Sequence, residues 1–87
     1  MNAVLERIEA AVDEARLVEW ASRAIGTPSF TGSEEAMAHL TAETFREMGL
    51  GVQWQQVEEG RANVLGVRTG EGGGPALMFN GHMDTSY

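Results

Sequence analysis

Between Val4 and Ile25 the apolar residues recur in steps of three and four, at Val4, Ile8, Val12, Ala15, Val18, Ala21 and Ile25, with Leu5, Ala11 and Leu17 widening the stripe. That spacing follows the turn of an α-helix and predicts one amphipathic helix of about six turns. Glu6, Glu9, Asp13, Glu14, Arg16 and Arg23 fall mostly off the stripe, and Trp20 borders it, where its ring can pack on a neighbouring element. Gly26 ends the helix, and Thr27-Pro28-Ser29-Phe30-Thr31-Gly32 reads as a loop because Gly and Pro both oppose helix continuation.

A second helix is expected to start near Thr31 to Ser33. Thr31-Gly32-Ser33-Glu34 has capping-box spacing, and Glu34 and Glu35 suit the positive end of a helix dipole. Its inward face would carry Met37, Leu40, Thr41, Thr44, Phe45 and Met48, and Gly49 is a natural stop. His39 lies off that stripe with Glu35 and Glu43 one turn to either side, so an exposed histidine with ordinary helix-pair partners is favoured over a metal ligand.

Three strands are predicted after the helices: Val52 to Val57, Ala62 to Arg68 and Ala76 to Phe79. Glu58-Glu59-Gly60-Arg61 is short and polar enough to close a hairpin between the first two. Thr69 to Pro75 is rich in glycine but has neither a Gly-Lys-Ser/Thr end nor Gly-x-Gly-x-x-Gly spacing, and it enters a strand where a phosphate loop enters a helix. It reads as a flexible turn. The fold class is therefore α/β, two helices followed by three strands. The Ala76 to Phe79 run has no polar alternation, which suits a central strand covered on both faces. Two helices cannot easily cover both faces, so the expectation is a portion of a larger sheet domain.

Composition narrows the function. Thirteen acids against six basic residues leave a net charge of -7, which opposes the phosphate neutralisation that nucleic-acid binding requires. The acids are interleaved through amphipathic segments and read as a solvated outer face. There is no cysteine, so disulfides and thiolate zinc sites are excluded. No basic stub with an apolar run opens the chain, and no stretch approaches the length of a membrane span, so a cytoplasmic protein with no membrane partner is expected.

Candidate chemistry lies where the last apolar run leads into Asn80-Gly81-His82-Met83-Asp84-Thr85. Two residues apart on an extended backbone, His82 and Asp84 project from the same face. The carboxyl ends of strands are where open α/β sheets place ligands, and charged groups there are costly to desolvate unless paired. Asp84 could bind an ion directly, or accept a hydrogen bond from the His82 ring nitrogen that faces away from the ion, fixing tautomer and basicity. A His-Asp hydrogen bond that merely closes the strand end is the third alternative.

The segment Phe79-Asn80-Gly81-His82-Met83-Asp84-Thr85 resembles the first metal motif of the M20 metallopeptidases and amidohydrolases, the family of acetylornithine deacetylase, succinyl-diaminopimelate desuccinylase and carboxypeptidases of the glutamate carboxypeptidase type. Three further segments are similar in order and spacing: Thr27 to Glu34, Met48-Gly49-Leu50-Gly51-Val52 and Arg61-Ala62-Asn63-Val64-Leu65-Gly66. The resemblance implies that His82 is a metal ligand and Asp84 the carboxylate that orients it within the catalytic machinery. Residues 1-87 would be an incomplete N-terminal portion of a zinc-exopeptidase-like catalytic domain built on a mixed sheet. It further implies zinc, with cobalt or manganese as alternatives that one His and one Asp do not discriminate. Substrates would be N-acyl amino acids or short peptides, cleaved at the amide bond, and the complete enzyme would be a homodimer. In that pattern the bridging carboxylate, the glutamate base, the remaining ligands and the dimerisation domain follow the first motif, so this chain alone is expected to bind zinc weakly and hydrolyse nothing. The alternatives are a non-catalytic interaction module derived from such an enzyme, pairing through exposed sheet edges, or an unstable product.

Overall fold

The computed structural model describes residues 2–86. Among them it contains three helices, α1 (Asn2–Ala11), α2 (Glu14–Ile25) and α3 (Glu35–Glu47), and one antiparallel pair of strands, β1 (Gly51–Glu58) and β2 (Arg61–Val67).

The first correction concerns the long amphipathic stripe, which is carried by two helices. Asp13 takes an extended backbone at φ -108°, ψ 100°, and its side chain accepts a hydrogen bond from the Arg16 backbone N–H at 3.1 Å. A carboxylate at that position satisfies one of the donors left open at a helix start, so α2 begins anew although the apolar spacing runs through the break.

The second expected helix is α3, which starts at Glu35, past the expected Thr31 to Ser33, and without its capping box. Glu34 makes no side-chain cap bond. Its carboxylate accepts from Arg61 Nε at 2.9 Å and Nη2 at 3.0 Å, while the Thr31 hydroxyl donates to Asp84. Tertiary partners have taken both side chains from the local motif. At the other end Gly49 adopts φ 81°, and the Gly49 and Leu50 N–H groups donate to the Arg46 and Phe45 carbonyls at 2.9 and 3.0 Å. This double closure requires a residue tolerant of left-handed backbone.

The core lies between α3 and the hairpin. Met37, Ala38, Ala42 and Ala62 are buried, and Leu40, Thr41, Thr44 and Phe45 are half-buried. Ala38 and Ala42 take the innermost places of the helix face, because a small side chain lets the helix approach the sheet closely. Met48, expected inward, is 37% exposed. In the hairpin Val52 pairs with Gly66, Trp54 with Val64 and Gln56 with Ala62, and the register slips by one at Val57, a bulge that leaves that side chain exposed.

The third predicted strand is absent. Ala76 to Phe79 joins no sheet, and Leu77, Met78 and Phe79 are 80%, 78% and 89% exposed. An apolar run becomes a strand only when a neighbouring strand takes up its N–H and C=O groups, and no such neighbour stands beside it among the described residues. Among the described residues α1 likewise packs on no other element, and its Val4, Leu5 and Ile8 are exposed. The chain exposes 7210 Å² for a mass of 9.4 kDa, where a folded monomer of that mass shows about 5,000 Å². Its radius of gyration is 15.3 Å, against about 12 Å for a compact chain of this length.

Candidate functional site

The segment Gly81 to Ser86 is held against the loop between α2 and α3, and the sequence explains how. Ser29 is fully buried and donates its hydroxyl to the Met83 carbonyl at 2.7 Å. The Ser29 carbonyl accepts from the Thr85 backbone N–H at 2.7 Å and from the Thr85 hydroxyl at 3.2 Å. Phe30 and Thr85 form a parallel bridge.

Extended backbone makes successive side chains alternate. Met83 points inward, half-buried, with its sulfur 3.8 Å from the Thr41 hydroxyl on α3. His82 and Asp84 therefore both project outward, and the structure brings them together: His82 Nδ1 lies 3.0 Å from Asp84 Oδ1 and 2.9 Å from the Asp84 carbonyl oxygen. The second carboxylate oxygen, Asp84 Oδ2, accepts from the Thr31 hydroxyl at 2.7 Å. That bond first, and the His82 bond after it, hold the Asp84 carboxyl below its ordinary range.

These contacts fix the chemistry of the ring. A carboxylate and a carbonyl can only accept, so Nδ1 carries the proton and Nε2 of the neutral imidazole is left with a free lone pair. The His82 side chain is 83% exposed, so that lone pair is open to solvent. Such a nitrogen can bind a metal ion or accept a proton. Both oxygens of Asp84 are engaged inside the chain, in the geometry of a carboxylate that orients a histidine.

The donor set fits one ligand of a zinc site. Among the described residues there is no group of three or more His, Cys, Asp or Glu side chains placed to hold an ion, whereas a catalytic zinc takes three protein ligands. His39 stands apart from the site. It lies 3.8 Å from Glu35, its i−4 helix neighbour, and stacks on Trp54 with ring centroids 4.8 Å apart. Sequence reasoning placed its helix partner and missed the stacking. It also missed Ser29 and Thr31 as parts of the site, although hydroxyls in a short loop after a proline were the available signal.

Two arginines secure the elements that carry the loop. Arg23 on α2 forks onto Glu47 of α3 at 2.8 and 3.2 Å, and Trp20 Nε1 donates to the same carboxylate at 3.3 Å. Arg61 joins Glu34 to Glu58, the latter at 2.8 Å. Arg61 hydrogen bonds hold the Glu34 carboxyl below its usual range, and those of Arg23 and then Trp20 do the same for Glu47.

Among the described residues no helix is long and apolar enough to cross a membrane. Comparison with protein-family models, curated proteins and solved structures finds no match to this chain.

Proposed function

We propose that this chain carries the first metal-ligand segment of a zinc-dependent amide hydrolase of M20 type, with His82 Nε2 as a ligand and Asp84 as the carboxylate that orients it. The observation that carries the reading is the placement of His82 Nδ1 within 3.0 Å of Asp84 Oδ1 and 2.9 Å of the Asp84 carbonyl oxygen, two acceptors that turn Nε2 away from Asp84. The loop gripping this segment, Ser29 to Thr31, belongs to a second stretch that resembles the same family. Zinc in such a site lowers the pKa of bound water and polarises the amide carbonyl. The part of this chain is to present one imidazole nitrogen in a fixed tautomer.

The reading requires further ligands and a general base from outside the described residues. The unsatisfied surface supports that requirement. Within a surface roughly 2,200 Å² larger than that of a compact monomer, large apolar side chains stand exposed on α1 at Val4, Leu5 and Ile8, on α2 at Leu17, Val18 and Ile25, and at Leu77, Met78 and Phe79. These are the faces and the strand-like run that a larger sheet with additional strands would cover. The proposed protein is cytoplasmic, acts on N-acyl amino acids or short peptides, and takes no nucleic acid or membrane partner.

The test uses the two histidines as mutual controls. Titration of the 87-residue chain with Co²⁺, followed through the histidine ring NMR signals, is expected to shift His82 before His39, with the early response removed by His82→Ala and kept by His39→Ala. A first response at His39, or none at either ring, overturns the assignment. The same chain is expected to leave N-acetylornithine and dipeptides intact. Turnover lost on His82→Ala would show that no further ligands are needed.

A further inference from the structure

We propose that Thr31 is a positioning residue for the His82 imidazole, acting through Asp84; the inference rests on the reading of His82 as a ligand given above. The backbone around Asp84 is fixed without Thr31. Ser29 Oγ holds the Met83 carbonyl at 2.7 Å on one side, and the Ser29 carbonyl holds the Thr85 N–H at 2.7 Å on the other. What these bonds leave undetermined is the rotation of the Asp84 carboxylate about its own side-chain bonds. The Thr31 hydroxyl, 2.7 Å from Oδ2, supplies that constraint and leaves Oδ1 directed at His82 Nδ1, 3.0 Å away.

His82 depends on this arrangement. Its ring is mostly in solvent, and the contacts that orient it both come from Asp84, one from the carboxylate and one from the carbonyl. The carbonyl is fixed by the backbone, so it contributes whether or not Thr31 is present. The carboxylate contributes only while its plane is held. Removing the Thr31 hydroxyl frees Asp84 Oδ1 to turn toward water and weakens the preference for a proton on Nδ1. Thr31 thus acts on the site from a loop 53 residues away in sequence, without touching the imidazole.

The experiment reads the His82 tautomer directly by ¹⁵N-resolved histidine NMR of the metal-free chain. Wild type is expected to hold the proton mainly on Nδ1. Thr31→Val, close in shape but without the donor, is expected to reduce the Nδ1-to-Nε2 ratio several-fold while the Met83 and Thr85 amide signals keep their positions. Thr31→Ser is expected to restore the ratio. Wild-type protein with its proton mainly on Nε2 overturns the proposal without any variant having to fold, and an unchanged ratio in Thr31→Val overturns it as well. A Co²⁺ titration separates the two readings. A weaker response at His82 in Thr31→Val, by less than the roughly 10-fold typical of losing a direct partner of a ligand, supports both. A Thr31-dependent tautomer in a His82 that ignores Co²⁺ supports the positioning role and removes the ligand reading.

Discussion

Gly66 offers the sharpest test of how α3 seats on the hairpin. It lies in β2 opposite Val52, and a Cβ added there would stand 2.8 Å from Leu50 Cδ1, 2.8 Å from Phe45 Cδ2 and 2.9 Å from Phe45 Cγ. Carbon atoms at rest sit about 3.5 to 4.0 Å apart, so the methyl group of Gly66→Ala would need roughly 0.7 Å or more of room. The Leu50 methyl is the end of a flexible side chain and can turn away. The Phe45 ring has less freedom, because it lies at the helix end fixed by the Gly49 closure. Overpacking of this kind costs about 1 to 3 kcal/mol. Against it stands a gain of about 0.5 to 1 kcal/mol, since alanine loses less backbone entropy than glycine on folding. At the middle of both ranges the packing term wins, leaving a net destabilisation of about 1 kcal/mol. For a domain of this size that lowers Tm by about 4 to 8 °C, readable in thermal unfolding followed by tryptophan fluorescence. Phe45→Leu provides the control, because a clash with the ring requires Gly66→Ala to cost less in the Phe45→Leu background than in wild type. Gly66→Ala protein as stable as wild type, or strictly additive effects, would refute the close approach.

Further outcomes follow from the capping and ion-pair geometry. Asp13→Ala is expected to fuse α1 and α2, because it removes the cap bond and supplies the best helix former inside a continuous apolar stripe; the far-UV ellipticity should grow more negative at 222 nm, and a loss of helix signal would contradict this. Arg61→Lys keeps the charge but not the fork that spans Glu34 and Glu58, so Tm should fall; an unchanged Tm would show that the fork is dispensable. Glu34, Glu47 and Asp84 all have carboxyl pKa values depressed in the folded chain. The unfolded chain therefore binds more protons in the acid range, and the stability they contribute is present above the ordinary carboxylate range and lost as pH falls through it. Unfolding midpoints that hold steady as the pH is lowered through that range would contradict the assignment.

The reach of sequence reasoning varied with how local each determinant was. The hairpin, the C-terminal stop of α3, and the shared face of His82 and Asp84 were legible, because two-residue alternation, a glycine at a left-handed position and a short polar turn act over a few residues. The break at Asp13 was less so, since the apolar spacing ran through it and a single carboxylate decided it. The capping box failed for a different reason. Its two side chains had partners far along the chain, Arg61 for Glu34 and Asp84 for Thr31.

By itself the sequence determined which residues bear chemistry: a histidine and an aspartate two apart, in a chain without cysteine and with a surplus of acids. It determined the hairpin and part of the inward face of α3, since periodicity is a property of neighbours. Only the tertiary structure decided that the apolar run Ala76 to Phe79 stays unpaired, because a strand exists through hydrogen bonds to another strand and not through its own composition. It also decided the state of the site. Ser29 and Thr31 lie more than fifty residues before the segment they grip, and through them the fold seats the Asp84 carboxylate beside the His82 ring.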